Sequence, residues 1–339
     1  MPLSPLNDNN DHAHTSYQTL LAHLNPSPPL VLEIDILPSS SGPDIQYSST
    51  DHALGIPKRT LIAAFLVARG LFFTYLSSLG HGSISAGEDE GGDKGEEMMQ
   101  ATSVMLLYEP NHGTAINARK RYILSHFHRP SSSVAGSSDD DVVVNGELIW
   151  LESYLTSPLP KHTKSPTLWA HRAWLLRLFV IPGLGDSVPG LQGKRKQGIS
   201  DDGRRLLERE MDVVMRAGER HPRNYYGWNY AREVCGMLGG EVLDKEEEAF
   251  DGSLGSGAGW GMVEKVRGWC FLHPRDVSGW SFLVWWLEDW MKMSGCVGRG
   301  EDMVEDIVME TEAFVAKYEW RGESIEWFLK AIRRLQTSG

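Results

Sequence analysis

Two arginines stand in equivalent places of two similar motifs, and they are the residues best placed to do chemistry. Each follows a His-Pro pair, as His221-Pro222-Arg223 and His273-Pro274-Arg275. A guanidinium group is a fixed positive charge that can bind anionic oxygens in a bidentate fork, so each position could bind an anion. The alternative is structural, because an arginine after a Pro turn is also stable in solvent or beside a neighbouring Asp or Glu.

Histidine and cysteine chemistry has little support in this sequence. His126-Phe127-His128 is the only close histidine pair, and no Asp, Glu or Cys at ligand spacing accompanies it. A zinc site needs three or four protein ligands, so we expect no metal site in this chain. The three cysteines Cys235, Cys270 and Cys296 stand apart, and an odd number argues against a disulfide framework. No Ser/His/Asp set and no Gly-rich phosphate loop occurs.

A motif that joins a proline to a large apolar residue occurs four times and organises the chain. In three copies the large residue follows the proline by six positions, whereas the second copy keeps the tryptophan and shortens the gap. The four large residues are Ile116, Trp169, Trp228 and Trp280. One supersecondary unit cannot bury its apolar face alone, so repeated units of this kind stack on their neighbours.

An amphipathic segment precedes each of the last three motifs. Its apolar residues recur at helical spacing, as Leu148, Leu151 and Leu155, as Leu207, Met211 and Val214, and as Met262, Val266 and Trp269. Each set predicts a helix with one buried stripe. The proline ends that helix, and Ser165, Asn224 and Asp276 are good N-caps for the next. Each unit is therefore predicted to be a helix, a tight Pro turn and a second, antiparallel helix.

The predicted fold class is all-α: a right-handed alpha-alpha superhelix, or solenoid, of antiparallel helix hairpins with a partly disordered N-terminal segment. Residues 1–57 form a largely irregular extension, with disorder over 1–29 and a short strand over 30–37. Residues 58–339 form the helical-repeat domain, which includes two further helices near 301–318 and 323–335. Low-complexity insertions between the units lie near 81–97, 130–146, 181–203 and 239–259.

Charge and composition exclude some partners. The 339 residues carry a net charge of −12, whereas nucleic-acid binders need a basic surface, so we expect no nucleic-acid partner. The polar N-terminus and the odd cysteine count predict a cytoplasmic protein. One apolar stretch, 61–76, is shorter than the roughly 20 residues that span a bilayer, and Arg69 stands in its middle. We therefore expect a buried helix there and no transmembrane span.

The motifs resemble the repeat of protein prenyltransferase alpha subunits, which runs loosely Pro-x-Asn-Tyr-x-x-Trp-x-x-Arg-Arg. The closest copy is Pro222-Arg223-Asn224-Tyr225-Tyr226-Gly227-Trp228-Asn229-Tyr230-Ala231-Arg232, and Trp169-Ala170-His171-Arg172 and Asn117-Ala118-Arg119-Lys120 match parts of it. The resemblance covers residues 96–335 with long gaps. Leu32-Glu33-Ile34-Asp35-Ile36-Leu37-Pro38 and His52-Ala53-Leu54-Gly55-Ile56 resemble the branch called prenyltransferase alpha subunit repeat-containing protein.

This resemblance implies a helical crescent that wraps around a separate beta subunit. In that family the beta subunit binds zinc, the isoprenoid diphosphate and the acceptor cysteine, so no cofactor is expected in this chain. The implied function is the alpha subunit of a heterodimeric protein prenyltransferase, inactive alone. It would transfer a farnesyl or geranylgeranyl group, with geranylgeranyl favoured, to a cysteine near the C-terminus of an acceptor protein.

The resemblance also assigns roles to single residues. Arg223, Arg275 and Tyr225 match positions that face the diphosphate, where fixed positive charge would stabilise the leaving group. Arg223 stands where farnesyltransferase-type subunits usually have lysine. Seven residues are expected to anchor the repeats rather than to take part in catalysis: Ile116, Arg119, Trp169, Arg172, Trp228, Arg232 and Trp280. The large apolar members are expected in the core, and Arg172 and Arg232 are expected to bind carbonyl ends of neighbouring helices.

A second function stays open, that of a non-catalytic helical-repeat scaffold for protein–protein interaction. Ile116 in place of tryptophan, Leu283-Val284 where the arginine pair belongs, and the acidic insertions all favour it. A fold alone does not establish an activity. The two functions differ in whether Arg223 and Arg275 must lie on one surface.

Overall fold

The chain is mostly helical and contains one small sheet. The computed structural model describes residues 5–80, 90–128, 138–181, 203–248, 258–293 and 297–337. Contacts between elements divide the chain into two compact units, Met1–Ile199 and Ser200–Gly339. The predicted all-α helical-repeat class is confirmed over the described residues. The hand of the superhelix stays a prediction.

The first unit opens with a helix and a three-stranded sheet. Helix α1 spans Pro5–Leu24, and strands β1, β2 and β3 span Glu33–Leu37, Gln46–Ser48 and Ala53–Pro57. β3 is central, because it pairs in parallel with β1 and antiparallel with β2. Side chains one residue apart point to opposite faces of a strand, so alternate residues of β1 and β3 face the core.

Helix α1 contradicts the disorder predicted over residues 1–29. The segment is polar on average, but Tyr17, Leu20, Leu21 and Leu24 recur at helical spacing and are all buried. The spacing of apolar residues outweighs mean composition here, because a single buried stripe is enough to dock a helix. The strand predicted over 30–37 is present as β1.

Helix α2, Lys58–Gly80, contains the apolar stretch and is only half buried. Ala64, Ala68 and Phe72 are buried, whereas Leu66 is 60% exposed and Phe73 is 43% exposed. The expectation of a buried helix is therefore wrong for one face. Within the described residues, one helix, over 58–78, is long and apolar enough to cross a membrane by length and composition alone.

Five helix pairs, each joined by a short connection, follow in the described part of the chain. They are α3 Glu90–Tyr108 with α4 Gly113–His128, α5 Ser138–Leu155 with the short α6 Pro160–Thr163 and α7 Pro166–Leu175, α8 Gly203–Arg220 with α9 Tyr225–Glu248, α10 Ala258–Leu272 with α11 Val277–Met293, and α12 Val297–Tyr318 with α13 Glu323–Thr337. The predicted helix–turn–helix units are confirmed, and so are the two C-terminal helices. The predicted stripes of α5, α8 and α10 are all buried.

The predicted insertions are shorter than their composition indicates. Residues 90–97, 138–146 and 239–248 are helical and lengthen α3, α5 and α9. Most of the third insertion, 181–203, lies outside the described residues. Gly and Asp lower helix propensity, but they do not prevent a helix that is extended from a packed one.

Helix α5 is tied to the sheet by side-chain hydrogen bonds. The backbone N–H of Leu32 donates to the hydroxyl of Ser153 at 2.9 Å, and the N–H of Ile34 donates to the hydroxyl of Ser157 at 2.8 Å. An unpaired strand edge leaves N–H groups without partners, and the two serines supply those partners. The sheet and the repeat helices of the first unit therefore share one core.

The predicted N-caps are confirmed by their hydrogen bonds. The backbone N–H of Leu168 donates to the hydroxyl of Ser165 at 3.1 Å, and the N–H of Gly227 donates to Oδ1 of Asn224 at 3.2 Å. The Ser165 hydroxyl also donates to Oδ1 of Asn111 in the preceding turn, at 2.7 Å. One polar side chain thus caps its own helix and binds the neighbouring turn.

Three turns of the second unit are joined in the same way. Asp276 accepts from the N–H of Ser278 through Oδ1 at 2.9 Å and from the N–H of Arg223 through Oδ2 at 2.7 Å. The hydroxyl of Ser324 donates to the carbonyl of Arg275 at 3.2 Å. The turns α8–α9, α10–α11 and α12–α13 therefore lie side by side.

We expect Asp276→Ala to destabilise the second unit by about 2–3 kcal/mol, because it removes a cap and leaves a second N–H unpaired. Asp276→Asn should cost about 1 kcal/mol, since an amide has a single oxygen and satisfies only one of the two N–H groups. Urea unfolding measures both values. Asp306→Ala, at an exposed position of α12, should change stability by less than about 0.5 kcal/mol. Equal stability of the Ala and Asn variants would contradict the role of Asp276 as acceptor for both N–H groups.

Candidate functional site

The three residues assigned to the diphosphate side lie on adjacent turns of the second unit. The hydrogen bond from Arg223 N–H to the Asp276 carboxylate brings the first turn against the residue that follows Arg275. The side chains of Arg223 and Arg275 are exposed, and Tyr225 is 63% exposed. The structure therefore brings the two arginines to the same end of the helix pairs.

Arg223 adopts a left-handed backbone conformation, with φ of 60°. A non-glycine residue in this region is strained by about 1 kcal/mol, so neighbouring contacts must hold it. Asp276 accepts its N–H, and the next residue, Asn224, is a buried N-cap. The strained turn is thus fixed from both sides, and the Arg223 side chain leaves it from a defined position.

Arg275 is engaged by the following turn. Its guanidinium carbon lies 5.5 Å from the centroid of the Trp320 ring, which is a cation–π contact. Among the described residues, no ion pair is found for Arg223 or Arg275. Of the two forms of the structural alternative, pairing with a neighbouring Asp or Glu is therefore not found there, whereas exposure to solvent is, for both arginines.

Exposed apolar and aromatic side chains stand at the same turns as these arginines. Tyr225 and Tyr226 are both exposed, with ring centroids 6.2 Å apart, and Leu272 is 78% exposed at the end of α10. We call Arg223, Tyr225, Tyr226, Leu272 and Arg275 the turn surface. Exposed aromatic residues beside arginine are typical of surfaces that bind a protein partner.

The four large repeat residues, Ile116, Trp169, Trp228 and Trp280, are buried. Two of them also close their turns, because the indole N–H of Trp169 donates to the carbonyl of Thr163 at 2.8 Å and that of Trp280 donates to the carbonyl of Pro274 at 3.3 Å. These residues position the turns and do not reach the surface.

The repeat arginines Arg172 and Arg232 behave differently from each other. Nη1 of Arg172 donates to the carbonyl of Leu148 in α5 at 2.8 Å, which is a contact with a neighbouring helix as predicted, but in the middle of that helix rather than at its carbonyl end. Arg232 instead donates to the carbonyl of Trp228 in its own helix and to the hydroxyl of Ser281 at 3.2 Å. The expectation is wrong for Arg232, because a residue four positions after the tryptophan lies above that tryptophan's own carbonyl.

Arg119 belongs to a buried charged network. Its Nε and Nη2 donate to the two carboxylate oxygens of Glu147 at 2.8 and 2.5 Å, and Nη1 donates to the carbonyl of Met99 at 2.7 Å. Nε2 of His171 lies 2.8 Å from Oε1 of Glu147. Burial alone raises the pKa of Glu147, but the charge of Arg119 and the hydrogen bonds of both partners hold that pKa at about 2.

Glu147 and His171 were not predicted as members of this network. For His171, its place inside the repeat motif beside Arg172 could have indicated a structural role. Burial lowers the pKa of His171, and its ring stacks on Trp174 with centroids 5.5 Å apart. A neutral imidazole therefore completes the pairing of the carboxylate.

The described cysteines are not placed for catalysis. Cys235 and Cys270 are buried, and burial raises the pKa of both thiols, so the reactive thiolate is disfavoured. Cys296 lies outside the described residues. Within the described ranges, no group of three metal-binding side chains occurs.

The geometry and the sequence point to one class of protein. Residues 207–238, which contain the α8–α9 turn with Arg223, match the family described as protein prenyltransferase alpha subunit repeat. The chain therefore carries such a repeat, and the resemblance predicted from the motifs is confirmed.

Relatives of the predicted branch are among the similar proteins. The chain is 30% identical over 189 residues to protein prenyltransferase alpha subunit repeat-containing protein 1 of Homo sapiens, covering 55% of this chain and 39% of that protein. The Danio rerio protein of the same name is 26% identical over 190 residues, which are 55% of this chain and 37% of that protein. Geranylgeranyl transferase type-2 subunit alpha of Rattus norvegicus is 28% identical over 165 residues, which are 49% and 23% of the two chains. The matched part spans about two fifths or less of each relative.

We expect the first unit to lose stability as the pH falls from about 6.5 to about 4. Burial lowers the pKa of His162 from 6.5 to about 4, although hydrogen bonding to the carbonyl of Leu106 opposes this shift. Below pH 6.5 the unfolded chain therefore binds a proton at His162 that the folded chain does not bind. The free energy of unfolding falls by about 3 kcal/mol as a result once the pH reaches 4. Above pH 6.5 this loss of stability is absent.

Urea unfolding near pH 7 and near pH 4.5 measures this dependence. His162→Gln keeps a donor for the Leu106 carbonyl and cannot titrate, so its stability should fall less between the two pH values. His14→Gln, at an exposed position of α1, should keep the wild-type difference. A His162→Gln variant with the wild-type difference would refute the assignment.

Proposed function

We propose that this chain acts as the alpha-type subunit of a heterodimeric protein prenyltransferase. The turn surface would face a beta subunit that carries the zinc and the isoprenoid diphosphate. The acceptor would be a protein with a cysteine near its C-terminus. The name of the rat relative supports geranylgeranyl as the transferred group. We place this complex in the cytoplasm.

One observation carries the proposal: Arg223 and Arg275 stand on two turns that share the carboxylate of Asp276. Two guanidinium groups at one end of the helix pairs provide positive charge toward a single partner. The chain as a whole has a net charge of −12, so this local excess of arginine is a departure from its average surface. A diphosphate, with several anionic oxygens, matches such a pair.

The chemistry follows from where charge develops during transfer. The carbon–oxygen bond to the diphosphate breaks as the acceptor sulfur attacks, and the leaving group gains negative charge. Fixed cations stabilise that charge more in the transition state than in the ground state. Arg223 is well suited, because its strained turn is held by Asp276 and requires little reorganisation. The exposed hydroxyl of Tyr225 adds a hydrogen-bond donor.

The scaffold function remains the second candidate, and two observations favour it. Leu283, at the position of the repeat's arginine pair, is fully buried, and Arg275 lies against Trp320 rather than standing free. Under this function the turn surface would bind a protein without chemistry. The exposed Tyr225 and Leu272 would then contribute more to binding than the arginines.

The test uses this chain co-purified with a prenyltransferase beta subunit. Arg223→Gly removes the guanidinium while keeping a residue that adopts positive φ freely, so it separates charge from backbone strain. We expect the single-turnover transfer rate to fall about tenfold to a hundredfold, with the heterodimer intact. Arg223→Lys should retain most of the rate.

Arg209→Ala is the matched control, because it removes an exposed arginine from α8 more than two helical turns away. It should leave the rate unchanged. An Arg223→Gly complex with the wild-type rate would remove the proposed role of Arg223. A well-folded chain that forms no complex with any beta subunit would contradict the transferase function and favour the scaffold function.

A further inference from the structure

The first unit contains a cavity that the proposed function does not use. It has a volume of about 330 Å³ and lies between α3, α4, α5, strand β1 and the loop that follows α1. This volume falls within the range of small-molecule sites in proteins, about 300–1,000 Å³. Leu32, Ile34, Met99, Tyr122 and Trp150 give it mainly apolar walls.

The charged and hydroxyl groups at the inner end of the cavity already have partners within the protein, whereas the buried indole N–H of Trp150 makes no hydrogen bond within the described residues. Arg119 is paired with Glu147, and its guanidinium lies over the ring of Trp150, 4.0 Å from the centroid. The hydroxyl of Ser153 accepts from Leu32 N–H and donates to a helix carbonyl. Because the guanidinium of Arg119 and the hydroxyl of Ser153 are satisfied, the inner end favours a mainly apolar body.

The mouth of the cavity has a different character. Glu96 and Asn25 are exposed there, and Gln100 is half-buried. The Glu96 carboxylate accepts hydrogen bonds and attracts positive rather than negative charge, whereas the two amides can both donate and accept. The mouth therefore favours the hydrogen-bond-donor end of a molecule.

A glycine keeps one wall of the cavity open. Gly146 lies inside α5, where glycine is less stable than alanine, and it lines the cavity. A Cβ atom added there would meet no other atom within 4 Å. Close helix packing therefore does not require this glycine, and its lack of a side chain leaves space for a ligand.

We propose that this cavity is a binding site for a small amphiphile, with an apolar body against Trp150 and Met99 and a neutral or cationic donor end at Glu96. The fit combines apolar walls, an inner guanidinium and hydroxyl that already have partners, and an acidic mouth. The site is independent of the turn surface, so its occupancy does not depend on prenyl transfer.

Two fluorescent probes of the same ring system test the proposal on the full chain. N-phenyl-1-naphthylamine is neutral and carries one N–H donor, whereas 1-anilinonaphthalene-8-sulfonate adds a negative charge to that skeleton. We expect the neutral probe to bind with a Kd at least fivefold lower than that of the sulfonate. Glu96→Gln should reduce this difference, because it removes the repelling charge.

The Gly146→Leu variant fills the cavity and should weaken binding of the neutral probe at least tenfold. Its thermal stability should equal or exceed that of the wild type, because leucine is the better helix former. Gly236→Leu, in an exposed and equally open position of α9, is the matched control and should bind as the wild type does. Unchanged binding by a folded Gly146→Leu variant overturns the proposal, and so does equal binding of the two probes.

Discussion

Every repeat in this chain must end one helix and begin the next within a few residues, and the backbone groups released there need partners. The proline ends the first helix because it lacks an N–H, and the polar residue that follows caps the second. Asp276 shows how far one such residue reaches, since its two oxygens bind the N–H of Ser278 and the N–H of the preceding turn. The stacking of the turns thus depends on buried polar side chains as well as on the tryptophans below them.

This constraint determines what the turns can present. A turn that is hydrogen-bonded to its neighbour holds its outward side chains at a fixed spacing, which is the condition for binding a rigid anion. Arg223 is placed by a strained backbone that Asp276 stabilises, whereas Arg275 is also held through its side chain by Trp320. The two arginines share a surface, but the side chain of Arg275 is more restrained than that of Arg223.

Local patterns predicted much of this arrangement. The stripes of α5, α8 and α10, the caps Asn224 and Asp276 and the tight turns depend on residues close in sequence, so spacing alone reveals them. The network of Glu147 with Arg119 and His171 joins residues 28 and 24 positions apart, and nothing local marks the glutamate as buried. Helix α1 was missed because its polar composition hides four buried apolar residues. The link from Asp276 to Arg223 depends on stacking, which follows only from the fold.

Arginines at different positions of the repeat serve different purposes, and their hydrogen bonds distinguish them. Arg119 has its guanidinium taken by Glu147 and Met99, and Arg172 donates to a helix carbonyl. A buried ion pair contributes little net stability, because desolvation of the two charges offsets their attraction, but breaking it is costly. The guanidinium groups of Arg119 and Arg172 therefore have structural roles in the protein interior. Within the described residues, the guanidinium of Arg223 makes no hydrogen bond, so its donors remain available to a partner. An arginine of this repeat is a candidate for chemistry when its N–H donors make no hydrogen bond within the protein, whatever its match to the motif.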